Sequence, residues 1–206
     1  MKFLALQGSE RTGGLTAAAL GLAKPYLARR GCELDIVSVA ALDVRLCGQC
    51  GDCNALPHPC VVNDDVPAVV RRMVQADGIV FAAPAHGFGT ASTMQNFIER
   101  AGVGYLRFDR PLTNKVAGII VTGRRYNLGA VHDQLVNNVL LNRMILVGSG
   151  FPVLIEELSG VRGEGSPEAL KALYSMLDRM VDMAGLLADG AARGRALQVP
   201  AGTERV

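Results

Sequence analysis

The sequence predicts a single α/β domain, built on an open parallel sheet with helices packed on both faces. Short apolar runs alternate along the chain with longer segments of helical periodicity, the rhythm typical of doubly wound α/β folds. Several of these runs are apolar almost throughout, as expected of strands buried on both faces. A chain of 206 residues can bury about 70% of its extended surface, so it can form a core without disulfides or metals.

Five apolar runs are the predicted strands, and they cover residues 2–7, 33–39, 78–84, 115–123 and 144–150. Helical patterns follow each run, near residues 14–30, 64–76, 90–101, 127–143 and 167–188. Connections between parallel strands are almost always right-handed crossovers, which places helices on both faces of the sheet. Ligands in such sheets bind at the carboxyl ends of the strands, so we expect functional residues just after the first, third and fourth strands.

Two helices carry residues that mark their limits. Ser166 and Pro167 open the last helix with a capping residue followed by proline at the first helical position. Pro25 lies inside the first helical pattern and removes the hydrogen bond to the carbonyl of Gly21. We therefore expect the first helix to be kinked or shortened at Pro25.

Composition excludes several classes of protein. Half of the residues are apolar and 19% are charged, which excludes a disordered, collagen-like or coiled-coil chain. The 21 basic and 19 acidic residues give a net charge of +2 with no basic run, so we expect no nucleic-acid partner. The apolar runs are too short for a membrane span, and the first is too short for a signal peptide. These features predict a cytoplasmic protein that does not associate with a membrane.

The loop after the first predicted strand, GSERTGGLT at residues 8–16, suits an anion. Its three glycines let backbone N–H groups turn toward a ligand, and the following helix adds its positive end. A dinucleotide fingerprint would need glycine where Glu10 stands, and a Walker loop would need lysine where Leu15 follows Gly14. The loop is therefore interpreted either as a site for a single phosphate monoester or as a turn that only joins strand to helix.

Four of the five cysteines, Cys47, Cys50, Cys53 and Cys60, fall within one short segment. The run C-x2-C-x2-C is typical of iron–sulfur ligation, whereas structural zinc sites more often pair two C-x2-C knuckles across a longer insert. A [4Fe–4S] cluster, zinc or another metal, and unligated thiols all remain open on spacing alone. Cys32 stands apart and is interpreted as a small buried hydrophobe.

Three motifs in order resemble a known family: the loop at 8–16, the cysteine segment LCGQCGDCNALPHPCVVNDD at 46–65, and the run ADGIVFAAPAHGFGTASTMQNFIERAG at 76–102. They resemble the flavodoxin-like NAD(P)H-dependent FMN reductases, in particular the iron–sulfur flavoprotein branch, over roughly residues 2–150. The resemblance implies a flavodoxin-like sheet of five parallel strands in the order 2-1-3-4-5. We expect a domain over 1–190 with a cysteine-rich insert at 46–62. The tail at 191–206 has too few large apolar residues for a core of its own, so we expect it to be mobile or to cross onto a neighbouring subunit.

The resemblance implies an FMN site formed by three loops. The phosphate loop contributes Ser9, Arg11, Gly13, Gly14, Leu15 and Thr16. The second loop lines the flavin ring with Pro84, Ala85, His86, Gly87 and Phe88. The third loop lies on the pyrimidine side with Thr122, Gly123, Arg124 and Tyr126.

Individual residues of these loops have alternative roles. His86 is the candidate catalytic residue, since histidine suits proton transfer, although it often only donates a hydrogen bond. Arg124 or Arg125 could stabilise negative charge near N1 and O2 of a reduced flavin, or could face solvent. Phe88 could cover the flavin or pack as a core aromatic beneath the loop.

The family resemblance implies an FMN-dependent oxidoreductase. If Cys47, Cys50, Cys53 and Cys60 hold a [4Fe–4S] cluster, an external donor such as ferredoxin would feed electrons through it to the flavin. Without a cluster, NAD(P)H would reduce FMN, which would pass electrons to a quinone or a similar small-molecule acceptor. A non-catalytic electron carrier is a further alternative, but such carriers are typically acidic and the isoelectric point here is about 8.3. The resemblance also implies a homodimer or a homotetramer.

Overall fold

A computed structural model describes residues 1–48, 50, 53, 60–156 and 166–198 of the chain. Within these residues the strands are β1 Lys2–Gln7, β2 Glu33–Ser38, β3 Gly78–His86, β4 Gly89–Thr90, β5 Val116–Gly123, β6 Ile145–Leu146 and β7 Val153–Glu156. The helices are α1 Leu15–Arg29, α2 Val66–Gln75, α3 Ser92–Ala101, α4 Leu128–Leu141 and α5 Pro167–Ala192. A 3₁₀ turn spans Val39–Ala41, and a π-helical turn, Gly102–Leu106, continues directly from α3. Parts of the predicted insert at 46–62 and of the predicted tail at 191–206 lie outside the described residues.

The strands form a mainly parallel sheet in the order β2-β1-β3-β5-β6. Phe3 of β1, for example, pairs with Leu34 of β2 on one side and Gly78 of β3 on the other. The predicted α/β class with a parallel sheet is confirmed. The predicted five-stranded 2-1-3-4-5 sheet needs correction, because two short strands bring the described sheet to seven.

The extra strands arise from local chain geometry. β4 folds back antiparallel on the end of β3 as the second arm of a tight hairpin. The predicted fifth strand, 144–150, is a strand only at Ile145–Leu146, and pairing with β5 resumes at Val153–Glu156. Between them, Gly150 has a φ of +83° and Pro152 has no N–H to donate, so the ladder is interrupted there.

Helices cover both faces of the sheet, as predicted. Ile79 and Phe81 of β3 pack in a cluster that includes buried residues of α2, α3 and α4. Val80 and Ala82, on the opposite face of the same strand, pack with buried residues of α1 and α5. The alternation explains why the strand is apolar throughout, since both faces are buried.

Pro25 does not shorten α1, which runs from Leu15 to Arg29 with the proline inside it. Both Gly21 and Pro25 are exposed, so water can satisfy the carbonyl that loses its helical partner. The predicted cap of the last helix is confirmed, because the hydroxyl oxygen of Ser166 accepts a hydrogen bond from the amide of Ala169 at 3.1 Å. Across the described part of the chain, no helix has the length and apolarity that crossing a bilayer requires.

Candidate functional site

A cavity of about 750 Å³ opens at the carboxyl edge of the sheet, where the loops after β1, β3 and β5 converge. Its volume lies within the range of small-molecule sites, about 300–1,000 Å³. Every residue that the family resemblance assigned to FMN lines it, and the structure adds Ala18 and Arg125. The three loops, far apart in sequence, therefore form one continuous cavity.

At one end of this cavity, Thr16 and Thr122 join the first loop to the third. Their hydroxyl oxygens lie 2.7 Å apart, and both residues are buried. Gly14 precedes the 15-residue α1 without a side-chain cap, so the positive end of the helix faces the loop. Together with the cation of Arg11 on the cavity wall, this end of the cavity suits a phosphate.

The other end is formed by the tight turn between β3 and β4. Gly87 and Phe88 have φ angles of +54° and +66°, as in the primed turns of two-residue hairpins. The side-chain amide of Asn127 donates a hydrogen bond of 2.7 Å to the carbonyl oxygen of Phe88. The start of α4 thus anchors the turn in place.

Aromatic and basic side chains form the rim of the cavity. The residues Phe88 and Tyr126 are 70% and 68% exposed, with ring centroids 6.5 Å apart. The alternative that Phe88 is a core aromatic is therefore wrong, because most of its side chain is exposed. His86 is exposed on the same wall, and both Arg124 and Arg125 line the cavity. The aromatic side chains of the rim offer a flat apolar surface to a ligand ring. The arginines offer positive charge that would stabilise such a ring when reduction makes it negative.

The four clustered cysteines, Cys47, Cys50, Cys53 and Cys60, line a second, much smaller cavity, together with Arg100. Among the described residues, no three cysteine, histidine or acidic side chains come within metal-binding geometry of one another. The side chains around this cavity that could ligate a metal are nevertheless all thiols, the ligand type that iron–sulfur clusters use. The predicted ligands are thus gathered around one space. Cys32 is buried elsewhere, as predicted.

The two ends of the cysteine segment are joined by hydrogen bonds, and we call this closure the neck; it consists of residues 43–45 and 64–65. The amide of Asp43 donates to the carboxylate of Asp65 at 2.8 Å, and the amide of Asp65 donates to the carbonyl of Asp43 at 3.0 Å. The amide of Arg45 donates to the carboxylate of Asp64 at 3.2 Å. These hydrogen bonds therefore hold the two ends of the cysteine segment next to each other.

Arg100, near the end of α3, closes the neck from within. Its Nη1 donates to the carboxylate of Asp64 at 2.5 Å and to the carbonyl of Arg45 at 2.6 Å. The side chains of Arg100 and Asp64 are 1% and 0% exposed. Burial lowers the pKa of Arg100, but the hydrogen bonds that it donates to Asp64 and Cys60 outweigh this effect and leave that pKa raised. Arg100 is therefore a fixed cation beside the cysteine cavity.

Arg100 and Asp64 were not predicted from the sequence. A signal for Arg100 was present, since it follows Met94 and Phe97 at intervals of three along α3 and so falls on the buried face. A charged residue on the apolar face of a helix needs a buried partner. No comparable pattern singles out Asp64, whose partners Arg45 and Arg100 come from distant segments.

The parallel α/β sheet, with a phosphate-type loop after β1 and a ring-sized cavity at its carboxyl edge, defines a protein of flavodoxin-like architecture. The chain belongs to the family described as NADPH-dependent FMN reductase, whose model matches residues 1–157. It is therefore a flavin-dependent oxidoreductase, and FMN is the cofactor of its family.

Two relatives carry names that agree with this family assignment. An iron–sulfur flavoprotein of Methanocaldococcus jannaschii is 30% identical over 154 residues, covering 74% of this chain and 78% of the relative. An iron–sulfur flavoprotein of Methanosarcina thermophila is also 30% identical over 154 residues, covering 72% and 78%.

Solved structures share the fold at lower identity. The structure of RosB with a bound riboflavin-phosphate intermediate superposes with a TM-score of 0.72 at 21% identity, covering 98% of this chain and 90% of that one. FerB, an NAD(P)H:acceptor oxidoreductase of Paracoccus denitrificans, gives a TM-score of 0.68 at 15% identity, covering 90% and 97%. At this level of identity, these two structures show only that the fold is shared.

Proposed function

We propose that this chain is an FMN-dependent oxidoreductase in which Cys47, Cys50, Cys53 and Cys60 hold a [4Fe–4S] cluster. The observation that carries the proposal is that these four cysteines line one cavity, in a chain whose larger cavity is lined by the whole predicted FMN site. Relatives named as iron–sulfur flavoproteins support the same assignment. When bound, the two groups would supply one-electron exchange at the cluster and one- or two-electron exchange at the flavin.

In the larger cavity, the chain's own residues would bind and orient the flavin. The loop at 8–16 and the start of α1 would hold the phosphate, with Thr16 as a hydroxyl donor. Phe88 and Tyr126 would cover the ring, while Arg124 and Arg125 would offset the negative charge of its reduced form. His86, exposed on the same wall, would move a proton to or from the substrate.

Helix α3 physically connects the two cavities. Near its start, the hydroxyl of Thr93 donates to the carbonyl of Gly8 in the phosphate loop at 2.8 Å. Further along, the amide of Asn96 donates to the carbonyl of Val44 at 2.8 Å, and Arg100 closes the neck. Ten residues of helix rise about 15 Å, so the two sites lie near opposite ends of one rigid element.

The proposed route of electrons begins outside the chain. With a cluster, a protein donor such as ferredoxin would reduce the cluster side, and a small-molecule acceptor would react at the exposed flavin ring. The alternative is a plain NAD(P)H-dependent FMN or quinone reductase without a cluster. It is favoured by the spread of the described thiols, no three of which come within metal-binding geometry. Stopped-flow reduction by NAD(P)H, with and without ferredoxin, separates these routes.

The composition of the purified protein tests the proposal. Protein prepared without oxygen should release FMN on heating and contain about four iron and four sulfide per chain, if the four thiolates bind one cubane. Cys→Ser at 47, 50, 53 or 60 should lose iron while FMN stays bound, because the flavin contacts come from other loops. Cys32→Ser, the matched control, should change neither, since Cys32 is buried away from the cavity.

Two results would contradict parts of this proposal. An FAD peak on chromatography of the released chromophore would exclude the FMN assignment. Full FMN occupancy with no iron after anaerobic reconstitution with iron and sulfide would exclude the cluster and leave the plain FMN reductase.

A further inference from the structure

A buried arginine side chain is directed at the sulfur of Cys60. Nη2 of Arg100 donates to the Sγ of Cys60 at 3.5 Å. Tyr105 lies in the π-helical turn that follows α3, where burial and the nearby Cys60 side chain raise the pKa of its hydroxyl. Arg100 and Tyr105 thus belong to one continuous helical segment, α3 and the π-helical turn after it.

The π-helical turn brings the backbone unusually close to this cysteine. A Cβ atom added at Gly104 would lie 3.2 Å from the Cβ of Cys60 and 3.6 Å from its sulfur. Glycine is therefore needed there for the close approach, and Tyr105 follows it directly. Single π-helical turns within or beside α-helices are frequent at functional sites.

Arg100 cannot swing away from Cys60, because its other nitrogen is already engaged. Nη1 is held by Asp64 and by the carbonyl of Arg45, which leaves Nη2 as the end of the planar fork directed at the sulfur. The guanidinium is almost wholly buried, where hydrogen bonds are stronger than in water. The same side chain therefore closes the neck and contacts the cysteine.

From this geometry we propose that Arg100 and Tyr105 are positioning residues that act through Cys60 and raise the reduction potential of the cluster. This inference rests on the proposed function. Reduction adds negative charge to a cluster that already carries four thiolates, and donors directed at a ligand sulfur stabilise that charge.

The test is an EPR-monitored redox titration of the anaerobic holoprotein and its Tyr105→Phe variant, which lacks only the hydroxyl. The midpoint potential of the cluster should shift to more negative values, while iron content and the FMN potentials stay at the wild-type values. Tyr174→Phe is the matched control, because Tyr174 stacks on Tyr26 on the other face of the sheet, with ring centroids 4.5 Å apart. It should leave the cluster potential unchanged.

Arg100→Lys is the second variant, since lysine keeps the charge beside Asp64 but lacks the planar fork that also reaches Cys60. It should shift the cluster potential in the same negative direction. Wild-type potentials in both Tyr105→Phe and Arg100→Lys would overturn the inference, as would loss of iron from Tyr105→Phe. Absence of a cluster from the reconstituted wild-type protein would instead mark the failure of the proposed function itself.

Discussion

The hydrogen bond between Thr16 and Thr122 joins two loops that are 106 residues apart. Each hydroxyl can donate one hydrogen bond and accept others. If one threonine donates to the other, the second keeps its proton for a ligand in the cavity. The pair thus supplies a donor whose direction is set by the protein before any phosphate arrives.

Thr16→Ala should weaken FMN binding by about 1–3 kcal/mol, because it removes a hydrogen bond to a charged group. Isothermal titration of the FMN-free protein with FMN measures the change. Thr113→Ala serves as the control, since Thr113 bonds only its local turn, to the carbonyl of Arg110, and does not line the cavity. Equal FMN affinity in wild type and Thr16→Ala would remove Thr16 from the site.

At the scale of elements, the neck depends on a buried ion pair. Asp64→Asn should lower the free energy of unfolding by about 3–5 kcal/mol, because it leaves the charge of Arg100 buried without its partner. Urea denaturation of the two proteins measures the difference. Asp35→Asn is the matched control: Asp35 pairs with Arg72 on the surface, at 44% and 43% side-chain exposure. Asp35→Asn should lower the free energy of unfolding by at most about 1 kcal/mol. A similarly small effect of Asp64→Asn would show that the Asp64–Arg100 ion pair does not hold the neck together.

The contact between β5 and α5 leaves no room for a side chain at Gly118. A Cβ atom there would lie 2.7 Å from the sulfur of Met180 and 2.8 Å from that of Met176, both of them buried. Gly118→Ala should therefore destabilise the fold by about 1–3 kcal/mol through overpacking.

Thermal and urea unfolding measure the effect of Gly118→Ala. Gly185→Ala, in the middle of α5 with no atom within 4 Å of the added methyl, is the control. It should stabilise the protein by about 0.5–1 kcal/mol through helix propensity. Equal stability of the two variants would contradict the close contact.

At the scale of the whole molecule, we expect the chain to associate into a homodimer or a homotetramer, as the family resemblance implies. Light scattering at micromolar concentration should report a multiple of the 21.8 kDa chain mass. A particle of the single-chain mass would contradict the expectation.

The sequence by itself determined the helices and the long strands, because their signals are local. Continuous apolar runs predicted the long strands, and Ser166 with Pro167 predicted the start of α5, since each signal lies within a few residues. The loops that form the larger cavity were also predictable, because parallel strands bring their carboxyl ends to one edge of the sheet. The split of the last strand at Gly150 was missed, since a short apolar run resembles a continuous strand until its partner is known.

Only the tertiary structure decided which side chains meet. Arg100 lies 36 residues from Asp64 and 40 from Cys60, so no local period links them. Likewise, Phe88 lies exposed in a hairpin turn that is anchored by Asn127, 39 residues away. Periodicity and motifs report contacts within one element, whereas the closure of the neck and the donors at Cys60 depend on how distant elements pack.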